Sequence, residues 1–129
     1  MKKIYYILFA ILATVSFTGC KEKADIDHPI AGHTYAWLLF TEYGYEGAHA
    51  HFHSKGDFSM YYYTHNIYQG DDSYTASRML WSVEGNNITI KNDNSSIFKS
   101  EQGKVVFTGF YNPQDSTVTL DNLVLTFLE

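Results

Sequence analysis

The feature that most constrains this chain is a series of short β-forming runs separated by turn residues. The runs are rich in Val, Ile, Thr, Tyr, Phe and Trp, which favour strands, and Gly, Asn and Asp separate them. No stretch of ten or more residues combines a helical apolar period with capping residues. The sequence therefore predicts an all-β fold, an antiparallel meander of about eight strands. The predicted strand segments are 35–41, 48–53, 58–65, 74–83, 88–91, 97–99, 104–111, 117–120 and 123–127.

The N-terminus has the order of a secretory signal. Lys2 and Lys3 precede an apolar run at 4–17, and Gly19 stands directly before Cys20. A cysteine at this point is typical of a bacterial lipobox, so we expect cleavage before Cys20 and lipidation of its thiol. The apolar run is shorter than the roughly 20 residues of a membrane-spanning helix. A signal peptide without lipidation, or a short anchor, is the alternative.

These boundaries predict three parts: a signal at 1–19, a flexible tether at 20–29 and one domain at 30–129. The tether is polar and ends in a proline. Cys20 is the only cysteine, so the domain needs a packed core in place of disulfides. We expect an exported protein held on a membrane by its N-terminal lipid, with no oligomer indicated and a monomer assumed.

The charge balance and the absence of common motifs exclude several classes of function. Lys2 and Lys3 fall in the signal, so the mature part carries seven basic and fourteen acidic residues, a formal charge of −7. This acidic balance argues against nucleic acid as a partner and against peripheral binding to anionic lipid, while cationic partners stay possible. The common hydrolase and phosphate-binding motifs are missing from the sequence. We therefore predict that the protein is not an enzyme.

Several short motifs carry a resemblance to a known family. Gly32-His33-Thr34-Tyr35 opens the first strand, Phe52 and Gly56-Asp57-Phe58 span a hairpin, and Trp81-Ser82-Val83-Glu84-Gly85-Asn86-Asn87-Ile88 enters the fifth strand. Together with Cys20, this layout resembles the small lipocalin-like lipoproteins exported by Gram-negative bacteria. The resemblance implies an up-and-down β-barrel on the outer membrane. It also implies a binding module that holds a small apolar ligand inside the barrel or a partner at its rim.

The run 48–53 contains three histidines at alternate positions. His49, His51 and His53 share one face of a strand. A three-residue loop at 54–56 would pair Phe52 with Phe58, leaving the histidines on the polar face with Asp57, Ser59, Tyr61, Tyr63 and His65. A two-residue loop would mix the two faces, so the first register is predicted.

Imidazoles next to a carboxylate suit zinc or copper. His49, His51, His53 and Asp57 are therefore candidate metal ligands, although no cofactor is expected. The alternative is a solvated polar strand, because side chains on one face lie roughly 6.5–7 Å apart along a strand.

The other candidate site is a group of tyrosines. Tyr61 and Tyr63 lie on the histidine face, and Tyr43 and Tyr45 lie in a glycine-flanked segment, 42–47, that reads as a loop. Exposed tyrosines suit a glycan, peptide or protein partner, whereas buried ones would be ordinary sheet packing. Two function classes stay open. One is a module with an apolar ligand among Phe52, Phe58, Met60, Tyr62 and Ile88; the other is an envelope interaction protein, such as an inhibitor or immunity-type lipoprotein. A zinc- or copper-binding envelope protein, acting through the histidine strand, is a third function that cuts across both classes.

Overall fold

The chain forms a closed barrel of eight antiparallel strands in meander order. The computed structural model describes residues 24–129, and the signal and Cys20 lie outside the described residues. The predicted all-β meander, an up-and-down lipocalin-like barrel, is confirmed. The strands are β1 (His33–Thr41), β2 (Gly44–Phe52), β3 (Asp57–Asn66), β4 (Gly70–Glu84), β5 (Asn87–Asn92), β6 (Val105–Asn112), β7 (Thr117–Leu120) and β8 (Leu123–Phe127).

Large apolar side chains fill the barrel interior. Alternate residues of each strand point inward, as the period of a strand requires. Trp81 packs edge-on against Phe52, with ring centroids 5.4 Å apart, and its indole N–H donates to the His53 carbonyl at 2.8 Å. The largest fully buried side chains are Phe52, Phe58, Ile30, Met60, Ile88, Ile90, Leu125 and Val118.

The register of β2 and β3 agrees with the one predicted from sequence. Phe52 pairs with Phe58, His51 with Ser59 and His49 with Tyr61, and the His53 N–H donates to the Asp57 carbonyl at 2.9 Å. The histidine face therefore points away from the core.

Two local predictions are wrong. Segment 97–99 is not a strand: it lies in the long connection between β5 and β6, which ends in a short 3₁₀ turn, Lys99–Glu101, and Ile97 is 89% exposed. Segment 42–47 is not a loop either. Only Glu42 and Tyr43 form the turn, and β2 begins at Gly44, whose φ of +149° suits glycine.

Four strands extend beyond the barrel at one end. β8 pairs with β1 only at Tyr35 and Ala36, and β5 pairs with β4 only at residues 79–84. Residues 37–41, 44–48, 62–66 and 70–74 therefore form a four-stranded sheet, here called the projecting sheet. Within residues 24–129, neither of its outer edges pairs with another strand.

A short segment at 25–32 covers the opposite end of the barrel. The Ile26 N–H donates to the Ser54 carbonyl at 2.8 Å, Asp25 pairs with Lys55 at 2.7 Å, and His28 Nε2 lies 3.2 Å from Asn86 Oδ1. Ile30 is fully buried in the core. The described part of the predicted tether thus packs against the domain.

Candidate functional site

The outer side of the projecting sheet carries a continuous set of aromatic rings. We define the aromatic face as the rings of Phe40, Tyr45, His49, Tyr61, Tyr63 and His65. The strand register places Tyr45 between Phe40 and His65, and His49 beside Tyr61, all on the side facing away from the barrel axis.

Each ring of the aromatic face touches another. The Tyr45 ring stacks on His65, with centroids 5.1 Å apart, and meets Tyr63 and Phe40 edge-on at 6.3 Å each. Tyr61 and Tyr63 stack at 5.7 Å, and His49 lies 5.4 Å from Tyr63. These separations fall in the range favoured by aromatic pairs. The rings therefore support one another while Phe40, Tyr45 and Tyr61 stay exposed.

Gly47 makes room for Tyr63. A Cβ atom at Gly47 would lie 2.5 Å from the Tyr63 hydroxyl and 2.7 Å from the Trp37 carbonyl oxygen. The phenol ring therefore lies across β2 where β2 has no side chain. This glycine lets Tyr63 reach both Tyr45 and His49.

A groove of about 530 Å³ runs beside the aromatic face, lined by Tyr45, Tyr61, Tyr63, Thr64, Asp71, Asp72 and Ser73. Asp71 accepts a hydrogen bond from the His65 imidazole, which ties the acidic edge to the rings. The lining combines three tyrosines with two aspartates, of which Asp71 lies on the side of the rings, and within residues 24–129 it includes no lysine or arginine. Its chemistry suits a ligand that carries positive charge.

Of the four tyrosines predicted as binding residues, three are brought together. Tyr45, Tyr61 and Tyr63 line the groove, whereas Tyr43 lies in the turn at the tip of the projecting sheet. There its ring contacts Tyr68, with centroids 5.8 Å apart.

The predicted metal ligands divide into separate groups. His49 belongs to the aromatic face, while His51 Nδ1 is hydrogen-bonded to the Thr34 hydroxyl at 2.5 Å and its ring lies 4.2 Å from that of His53. Asp57 contacts His53 only through the backbone, where the Asp57 carbonyl accepts a hydrogen bond from the His53 N–H. Among residues 24–129, no three His, Cys, Asp or Glu side chains form a group able to hold a metal ion.

The environment of His51 disfavours its charged form. Partial burial lowers the pKa of His51, and the neighbouring His53 lowers it further, whereas the Glu129 carboxylate acts in the opposite direction. A neutral imidazole is therefore favoured at this end of β2.

The candidate apolar ligand site inside the barrel is occupied by side chains. Phe52, Phe58, Met60 and Ile88 are buried in one continuous core, and Tyr62 packs against that core. Burial raises the pKa of Tyr35, which lies in the same core, to about 12. The residues predicted to line an interior ligand are thus part of the packed core.

Two residues of the site were missed by the sequence reasoning. Phe40 and Asp71 join the aromatic face and its groove only because β1 and β4 continue past the barrel. A two-residue turn at 42–43 would have placed Phe40 opposite Tyr45. Asp71 was missed because the predicted strand began at residue 74, whereas β4 begins at Gly70.

Comparison with known proteins gives no relative: no family model, no curated protein and no solved structure matches the chain. Within the described part of the chain, no helix has the length and hydropathy needed to cross a membrane.

Proposed function

We propose that this protein is a lipid-anchored binding module of the cell envelope, and that its aromatic face binds a positively charged partner. The anchor is the lipid on Cys20, at the end of a lipoprotein signal. The membrane is the outer membrane of a Gram-negative cell, as the lipocalin-like resemblance suggests. The observation that carries the proposal is the groove in which exposed phenol rings adjoin the carboxylate of Asp71.

The chemistry of the groove supports a cationic ligand. A guanidinium or ammonium group over a phenol ring gains about 0.5–2 kcal/mol. Asp71, which pairs with His65 on the same face, adds charge-assisted hydrogen bonds from the same ligand. The mature chain is also acidic as a whole, so its field attracts a basic partner before contact.

The filled core supports surface binding over an interior ligand. Small barrels either hold one ligand or fill with side chains, and here Phe52, Phe58 and Met60 are all buried in one hydrophobic core. We therefore place the binding site on the aromatic face, and the function is closer to an envelope interaction protein than to a carrier of apolar molecules.

Titration of the detergent-solubilised full chain tests this proposal. The probe is an arginine–glycine peptide, with a glutamate–glycine peptide of equal length as its counterpart. We expect the basic peptide alone to shift the amide resonances of β2 and β3. Replacing both Tyr61 and Tyr63 with alanine should weaken binding at least tenfold.

Two matched controls separate this site from general acidity. Tyr74 is 66% exposed on the other side of the projecting sheet, so Tyr74→Ala should leave binding unchanged. Asp71→Asn should weaken binding, whereas Glu84→Gln at the other end of β4 should not. Equal losses in all four variants, or equal binding of the two peptides, would refute the proposal.

A further inference from the structure

The open edge of β1 carries backbone groups that no other strand within residues 24–129 pairs with. Thr34 donates its N–H to the Glu129 carbonyl at 2.7 Å and accepts from the Leu128 N–H at 2.9 Å, so its backbone faces β8. The N–H and C=O groups of successive residues point to opposite sides of a strand. Leu38 and Phe40 therefore point their N–H and C=O groups the same way, past the end of the β1–β8 pairing at Ala36.

The two open edges of the projecting sheet differ in how they are protected. The β4 edge begins with Gly70, Asp71 and Asp72, and further along the Asp93 N–H donates to the Arg78 carbonyl at 2.9 Å. Charges and covering loops are the devices by which proteins block edge-to-edge pairing.

The β1 edge has no such protection. No charged residue occurs from His33 to Thr41, and Leu38, Leu39 and Phe40 are 49%, 44% and 74% exposed. A second copy of the same edge can approach without setting like charges against each other, which two β4 edges could not do.

We propose that two copies of this chain pair antiparallel through β1, with the twofold axis at Leu39. In this register Leu38 of each copy lies opposite Phe40 of the other as a hydrogen-bonded pair. Four inter-chain hydrogen bonds form, and the open N–H and C=O groups of Leu38 and Phe40 are all satisfied. Leu38 also packs on Phe40 across the junction.

Neighbouring registers fit less well. An axis at Leu38 would need the backbone of Ala36, which already pairs with Thr126 of β8. An axis at Phe40 would place Leu38 opposite Glu42, in the turn.

The axis at Leu39 stands perpendicular to the sheet, so it joins two projecting sheets into one and sets both aromatic faces on the same side.

Disulfide mapping on the full chain in isolated membranes tests the register. The variants L39C, L38C, F40C and Y74C are oxidised with copper phenanthroline, beside the parent chain as a control for Cys20. Leu39 of one copy would lie opposite Leu39 of the other, with the two Cα atoms about 4.5 Å apart, a distance that suits a disulfide. We expect L39C to form dimers at least tenfold more than L38C, F40C or Y74C alone, and coexpressed L38C and F40C to cross-link to each other.

Sedimentation of the detergent-solubilised full chain tests the assembly itself. We expect a protein mass of two chains, which Phe40→Lys reduces to one while Ile97→Lys, at a still more exposed position, does not. Circular dichroism confirms that each variant is folded. A single-chain mass at all concentrations, cross-linking of Y74C equal to that of L39C, or cross-linking of L39C only to a different protein would overturn the proposal.

Discussion

Gly47 connects the packing of a single residue to the binding surface. Gly47→Ala should cost about 1–3 kcal/mol of unfolding free energy, because the new methyl group crowds both the Tyr63 phenol and the Trp37 carbonyl. Displacement of Tyr63 should also weaken binding of the basic peptide. Urea unfolding measures the first effect and peptide titration the second.

A double-mutant cycle separates the two contacts of the added methyl group. In a Tyr63→Ala background the phenol is gone, so Gly47→Ala should cost less, with only the contact to the Trp37 carbonyl left. An equal cost in both backgrounds would mean that Gly47 does not position Tyr63.

His51 should make the stability depend on pH. Its pKa in the folded protein is lowered, chiefly by burial, so the unfolded chain takes up the proton more readily. The contribution of neutral His51 is complete above the ordinary histidine pKa of about 6.5 and is lost as pH falls below it toward the folded pKa. Urea unfolding at pH 7.5 and pH 5.5 should show a smaller loss of unfolding free energy at the lower pH in His51→Gln than in the parent chain. An identical pH dependence in both proteins would contradict this assignment.

At the scale of elements, the segment at 25–32 behaves as part of the fold. Ile30 is fully buried, so Ile30→Ala should cost about 2–5 kcal/mol of unfolding free energy. Ile67→Ala, in the exposed connection between β3 and β4, should change it by less than about 0.5 kcal/mol. Denaturant unfolding of both variants compares them. Small and equal changes in unfolding free energy in both variants would show that the segment is dispensable for stability.

The elements that sequence reasoning predicted well are those governed by local alternation. Phe52 and Phe58 face each other because apolar residues alternate on both sides of a loop whose Gly56 has a φ of +106°. Ile97 and Phe98 have the composition of a strand, yet they lie exposed in a long connection. Local propensity cannot tell which apolar run will find a partner strand.

The candidate site was only partly predictable for a related reason. Alternation placed Tyr61 and Tyr63 on the outward face, and β3 keeps them there. The projecting sheet, however, arises because β4 has 15 residues and its neighbour β5 has six. Such a mismatch between neighbouring strands depends on the whole barrel and leaves no motif in the sequence.

At the scale of the whole molecule, the anchor and the fold should be separable. Cys20→Ala removes the proposed lipid acceptor but no residue of the barrel, so the protein should move from the membrane fraction to the soluble fraction and keep its β-sheet circular dichroism. An inhibitor of the lipoprotein signal peptidase should cause the unprocessed precursor of the parent chain to accumulate. If the inhibitor left processing of the parent chain unchanged, the lipobox assignment would be refuted.

The packing of the segment at 25–32 fixes how the anchored protein would stand on its membrane. Only four peptide links separate Cys20 from Ala24, a span of at most about 14 Å. If Cys20 carries the proposed lipid, the barrel end closed by Ile30 stays close to the lipid headgroups. In the proposed antiparallel pair, the two Ile30 ends lie at opposite ends of the joined sheet. Both lipids would therefore enter one leaflet only with the joined sheet lying along the membrane surface.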